Sequence, residues 1–392
     1  MANVYFKKII SDQGIPTTEA EMQQAWRTEL ANSGSEISND NTYSPFWRLT
    51  SALITKPALW LVEFLIGTVM PNFYLKTAVA DWAVELLADG VNLTRKTAVA
   101  AEYSLVFTRD NLAVDTVIEA GTVVQTASLN NVVYQLVVTE DTAFLPGLAT
   151  QRVNATAVSA GGAFNLAAGY FSVLPETIPN IVGVTNDIDS LVVPGADQES
   201  NAELVARTRN QFGTASDYHT DSVYRALISE FAGVSVDDIY FVHDAPRGPG
   251  TANAFVLFDF TLDVAQYLTD INQYITDQGN HGHGDDLVVY QMPEQSVSLV
   301  VDIWHDAALS TTDISSLQQQ VTDFIYAAFR QNKSYTATLT QPYSRFALSQ
   351  LKAELHAEFA GLVDIEFDQS SIVTELWVPS LDSLTINMQA VG

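Results

Sequence analysis

The hydrophobic period of the chain changes near Ala98, and again after Pro194, and the first change limits the fold more than any other feature. Upstream, apolar residues recur at helical spacing; downstream they fall in short β-branched and aromatic runs broken by glycine. No single layer holds both patterns, so the expected class is α+β and multidomain. The expected segments are a helical region over 1–97, a β-rich domain over 98–195, and two α+β units over 196–293 and 294–392. A length of 392 residues fits two to four domains.

In the first segment, Thr17-Thr18-Glu19-Ala20-Glu21 offers a cap followed by acidic first-turn residues, which predicts a helix to about Ala31. Residues 32–43 read as a polar loop. Pro57 suits a first helical position and Pro71 a stop, so a helix is expected between them. Leu59, Trp60, Leu61, Val62, Phe64, Leu65 and Ile66 nearly encircle it. It must therefore be covered on most sides, by its own domain or by another chain. Over 57–70 it would span roughly 20 Å, short of the roughly 30 Å of a bilayer core. That predicts a buried helix and no membrane insertion. The N-terminus lacks the basic-then-apolar order of a signal peptide. A further helix is expected over 75–87, ending at Asp89-Gly90.

Strands are expected at 103–109, 131–138 and 152–158, with a turn and another strand over 117–122 and breaks at Gly161-Gly162, Gly169 and Gly183. Beyond Pro194-Gly195 the pattern predicts helices over 200–212, 220–231 and 264–276, and strands over 235–243, 252–259 and 286–291. The last segment reads as strand 296–304, helices 314–330 and 345–359, and strands near 363–367, 375–378 and 383–388. Glu230-Phe-Ala-Gly-Val234 is echoed by Glu358-Phe-Ala-Gly-Leu362, each a helix end at glycine before a strand, which suggests two copies of one αβ unit.

Charge narrows the function. Forty-six acidic residues against 18 basic ones give a net charge of −28, which repels a phosphate backbone. No basic patch relieves it: after Lys96 the only lysines are Lys333 and Lys352. No nucleic-acid partner is expected. The absence of cysteine excludes disulfides and thiolate metal sites.

Several marks occur in a telling order. Trp82-Ala-Val-Glu-Leu-Leu-Ala-Asp-Gly-Val-Asn-Leu-Thr-Arg95 leads to an alanine-rich strand entry at 97–107, then to Ile118-Glu-Ala-Gly-Thr122. Val153-Asn-Ala-Thr-Ala-Val-Ser-Ala-Gly-Gly-Ala-Phe-Asn165, Ala168-Gly169 and Ile181-Val-Gly-Val-Thr-Asn186 follow. Pro194-Gly-Ala-Asp-Gln-Glu-Ser200 with Glu203, Leu204 and Arg207 closes the series. Over roughly 80–305 this resembles the baseplate J-like family, which forms the wedges of contractile phage baseplates. The long apolar helix and Asn280-His-Gly-His283 depart from the family pattern.

The resemblance implies a structural, non-enzymatic wedge component of the virion tail, made in the host cytoplasm. Its implied partners are a second copy of itself and other wedge, hub and sheath-initiator proteins, and its implied role is relaying host contact to sheath contraction. A tailocin or contractile secretion system is the rival within the class. A glycan-binding or depolymerising tail protein is the rival outside it. The expected partner interface is Leu59, Trp60, Leu61, Phe64, Leu65 and Ile66; no catalytic, cofactor or metal residues are expected.

The residues tempting for chemistry are His281, His283, Asp285 and Asp286, whose imidazoles and carboxylates sit among glycines. With no second ligand group in sequence they read as a solvated loop. His219, between Asp217 and Asp221, reads as part of a helix-opening loop where Asp and Ser cap. No nucleophile elbow, phosphate-binding glycine loop or His-Glu-x-x-His pattern occurs.

Overall fold

The computed structural model describes residues 2–34, 43–214 and 219–391. Most of the expected 32–43 loop, and Asp217, lie outside those residues. The chain divides into two compact units, Met1–Arg95 with Ser200–Phe212, and Lys96–Glu199 with Gly213–Gly392.

The first unit is helical. Glu19–Asn32 begins at a complete capping box: the Glu21 amide donates to Thr18 Oγ1 and the Thr18 amide donates to the Glu21 carboxylate. The long apolar helix departs most from expectation. It begins at Pro45, not Pro57, because Ser44 accepts from the Trp47 amide and proline at the first position needs no partner for its missing N–H. Pro57 lies inside Pro45–Phe64, a π-helical turn follows over Leu65–Val69, and Met70–Asn72 completes the rod. The expected helix at 75–87 starts later, at Asp81, because Asn72 Oδ1 accepts from the amides of Val79 and Ala80 and holds the approach in turns. Asn201–Gln211, the helix opening the expected third segment, packs in this unit, where Leu204 joins Ala78, Val84 and Ala88.

The second unit opens with a nearly closed antiparallel barrel. Its strands run in the order Phe171–Val173, Val123–Thr126, Gln135–Val138, Thr150–Ala157, Glu102–Arg109 and Ile181–Thr185, with Leu191–Val193 also on Glu102–Arg109. The two ends of that path lie against each other. Strict alternation sends Tyr103, Leu105 and Phe107 inward, where all are fully buried. The strand expected from residue 131 is shorter, Gln135–Val138. Asn130 and Asn131 take left-handed φ of 46° and 61°, and Leu129 and Val132 exchange both backbone hydrogen bonds across them as a tight hairpin.

The barrel core is continuous with that of the next α+β layer. There Ile239–Val242 pairs antiparallel with Thr251–Val256, and Asp286–Gln291 pairs parallel with it after the crossover helix Ala265–Thr276. In the C-terminal layer, helices Thr311–Ala328 and Leu348–Glu358 bury Phe324, Ile325, Leu351 and Leu355 with Leu299, Val301 and Ile303 of the strand Glu294–Asp306. The strand expected at 375–378 is a bend except for Val378, and the one expected at 383–388 is part of a longer strand, Val378–Val391. The suggested duplication does not hold. The shared central strand is the second in chain order in one layer and the first in the other. Gly233 is left-handed at φ 73°, whereas Gly361 is not.

Candidate functional site

The histidine-rich loop uses its side chains internally. Tyr224, buried, donates to Asp285 at 3.0 Å, and burial together with that carboxylate pushes its phenol up to about 12. Arg247 donates to Asp286 at 2.7 Å, His243 lies 3.2 Å from Asp221, and His281 Nδ1 faces the Gly282 carbonyl. His219 packs beside the Tyr224 ring, and the following helix has Thr220 as its N-cap with no side-chain cap bond, unlike the Asp or Ser cap expected. Among the described residues, no three His, Asp or Glu side chains are grouped to hold a metal. The recess beside them holds about 160 Å³, below the roughly 300 Å³ at which small-molecule sites begin. A larger recess of about 610 Å³, between 114–123 and 175–180, has no aromatic lining to stack a sugar ring.

The segment with the densest motif residues forms a structural clasp. The Asn165 side chain donates to the Gly195 carbonyl and accepts from its amide, both at 2.7 Å. A Cβ at Gly195 would collide with the Gly161 carbonyl, so only glycine allows that approach. Asp197 accepts from the Gly162 amide, and Glu199 from the Lys96 amide. In the helical unit, Ser200 and Glu203 form a capping box, and Arg207 donates to the Thr94 carbonyl at 2.6 Å. These side chains are consumed in holding backbone.

The unspent surface is on the apolar helix. The six expected interface residues divide by direction. Ile66 is buried with Phe6 and Ile10, and Leu59 and Leu65 are half-buried. Trp60, Leu61 and Phe64 are 64%, 58% and 47% exposed, with Trp60 and Phe64 stacked at 6.1 Å. The helix is thus covered on one side and open on the other, not buried on most sides. The open side extends beyond the expected residues: Phe46, Leu49 and Leu53 are exposed. At about 100° per residue, Phe46, Leu49, Leu53, Trp60 and Phe64 fall on one stripe, while Trp47, Ser51 and Thr55 lie on the covered face. Reading the 3-4 spacing upstream through Pro57 would have found the first three. Lys56 and Glu63 border the stripe, as charges border a coiled-coil seam.

Pro45–Asn72 has 28 residues, about 42 Å of rod. By length and composition it is enough to cross a membrane, which corrects the shorter span expected from 57–70.

Residues 104–191, the barrel, match the family model described as the baseplate J-like protein barrel domain. A putative baseplate protein, gp29 of Haemophilus phage HP1 (strain HP1c1), is 40% identical over 365 residues, spanning 91% of this chain and 92% of that protein. Among solved structures, a chain of the anti-feeding prophage baseplate aligns over 87% of both chains at 10% identity, with a TM-score of 0.36. With 40% identity to the phage HP1 protein along nearly its whole length, and its barrel matched separately by the family model, the chain belongs to the baseplate J-like family.

Proposed function

We propose that the chain is a structural, non-enzymatic wedge component of a contractile phage baseplate. In this reading it assembles with a second copy and with other wedge, hub and sheath-initiator proteins, and helps couple host contact to contraction. Its place is the virion tail, and the segments 1–97, 98–195, 196–293 and 294–392 serve as its modules. The observation that supports it best is the exposed stripe Phe46, Leu49, Leu53, Trp60 and Phe64, too apolar to leave in water. Covering each such side chain contributes roughly 1.5–3 kcal/mol.

A bilayer is the other cover that the rod's length favours. Against it, the rod carries exposed Arg48, Lys56 and Glu63, and a Lys or Arg at a bilayer centre costs about 2.5–3.5 kcal/mol. Light scattering of the purified chain, alone and mixed with the neighbouring tail proteins, tests the proposal. The expected result is a dimer or a heteromer. A strict monomer in every mixture overturns it, and flotation with phosphatidylglycerol vesicles would put the bilayer reading in its place.

A further inference from the structure

Among the described strands the C-terminal sheet ends in two edges, one of which, Leu362–Phe367, carries Asp364 and Glu366. Glu294–Asp306 lies at its centre, with Leu362–Phe367 antiparallel on one flank and Val378–Val391 parallel on the other. No described strand pairs with the outer edge of Val378–Val391. Such an edge presents unpaired N–H and C=O groups, and proteins commonly blunt it with lysine, proline, a bulge or a covering segment. Residues 383–391, Ser-Leu-Thr-Ile-Asn-Met-Gln-Ala-Val, contain no charge and no proline. Their register against the central strand runs unshifted from Ser298↔Ser383 to Asp306↔Val391. On a chain of net charge −28, this regular neutral edge stands out. Its side chains alternate: Leu384, Ile386 and Met388 pack against the core but stay half-buried, while Thr385, Asn387 and Gln389 are exposed. Asn387 also donates to Asp302 at 2.8 Å, which fastens the strand to the sheet.

We propose that this edge pairs with the same edge of a second copy, the two 383–391 strands running antiparallel about a two-fold axis at Asn387. The proposal deepens the self-association reading above and rests on it. Around that axis Ile386 opposes Met388, Leu384 opposes Ala390, Thr385 opposes Gln389, and Asn387 opposes itself. Directly opposed residues of antiparallel strands share a face. The half-covered apolar row therefore continues into its copy, and the polar row meets polar. Asp382 falls outside the paired stretch, so the two paired strands carry no carboxylate of their own, and the neighbouring strand's Asp302 is held by the Asn387 amide. Residues 383–391 themselves offer a basic partner strand no charge to recognise. From Leu384 to Ala390 the copy supplies the matching pattern at each position, as an isologous contact requires.

The absence of native cysteine makes single-cysteine variants of the full chain clean reporters. Asn387→Cys would set two Cα atoms roughly 4.5–5.5 Å apart across the axis, within disulfide range. Under mild oxidation it should form a covalent dimer at least about tenfold faster than the exposed barrel variant Asp115→Cys. Thr385→Lys with Asn387→Lys places like charges at the axis and should weaken dimerisation about tenfold in sedimentation. If the unaltered chain dimerises but Asn387→Cys cross-links no faster than Asp115→Cys, the strand contact is overturned and self-association stands. A chain that stays monomeric at every concentration removes both. Should the lysine variant misfold, the cysteine pair decides alone.

Discussion

The helical unit and the barrel unit solve the same problem in opposite ways. The barrel turns alternate side chains of each strand inward, and Tyr103, Leu105, Phe107, Leu136 and Phe171 lose essentially all contact with water. In the helical unit, Glu19–Asn32 buries no residue, and the long rod beside it leaves an apolar stripe uncovered. Among the described residues, every exposed large aromatic except Tyr290 and Tyr343 belongs to that unit. A barrel closes its hydrogen bonds and its core within one chain. A helix satisfies its backbone alone and can leave a side-chain face for another molecule. The difference separates a barrel that buries its large side chains within itself from a helical unit that leaves an apolar face open.

The sharpest way to break that contrast is to truncate one large aromatic side chain in each unit. Phe107→Ala empties a fully buried site in the barrel and should lower its unfolding free energy by about 3–5 kcal/mol. Trp60→Ala removes a larger but exposed ring and should change the unfolding of the isolated chain by no more than about 0.5 kcal/mol. Urea denaturation of the two variants under non-associating conditions measures both. Equal losses would mean the rod is part of an intramolecular core.

Next in size is the effect on assembly. Trp60→Asp or Phe64→Asp puts a carboxylate on the open stripe and should weaken association by at least about 2 kcal/mol, roughly thirtyfold, if these rings are central to an interface. Far-ultraviolet circular dichroism should match the unaltered chain. Normal association on size-exclusion chromatography would remove the stripe from the interface. Whole-chain unfolding would assign the rod to a core of its own unit.

The parts of this contrast that were legible in sequence are those fixed by neighbours. The Thr18–Glu21 and Ser200–Glu203 boxes announce helix starts, and the alternation over 103–109 announces a strand with one buried face. The parts that were not legible depend on distant partners. Pro57 reads as a start because proline lacks an N–H, yet Ser44 and Pro45 nucleate the helix earlier and it runs through. Only 383–388 reads as a strand beyond Pro379 and Asp382, but parallel pairing with Glu294–Asp306 carries Val378–Val391 as one. Arg330 takes φ 65° with no glycine to signal it, held by its own donations to the Thr340 and Phe258 carbonyls. Of the six residues expected at an interface, Trp60, Leu61 and Phe64 are exposed, whereas Ile66 is buried within its own unit. Sequence gives angles around the rod, but which arc the helices Ala2–Asp12 and Glu19–Asn32 cover is a tertiary fact.

The smallest expected effect separates the units most finely. Thr18 and Ser310 both head capping boxes, with Glu21 and Asp313 as reciprocal partners. Removing either hydroxyl leaves one helix-terminal N–H without its acceptor, an intrinsic loss of about 1 kcal/mol. The helices it starts differ. Thr311–Ala328 buries Leu317, Val321, Phe324 and Ile325, so it cannot fray without opening the C-terminal core. Ser310→Ala should therefore lower the cooperative unfolding free energy by about 1 kcal/mol. Glu19–Asn32 buries nothing, so its first turn can open alone. Thr18→Ala should leave the main transition unmoved and appear only as faster amide exchange in that helix, a local opening below the global one. Hydrogen exchange read by mass spectrometry, beside urea melts, distinguishes the two. If Thr18→Ala shifts the main transition as far as Ser310→Ala, the helical unit unfolds together with the barrel unit and its incompleteness lies on its surface alone.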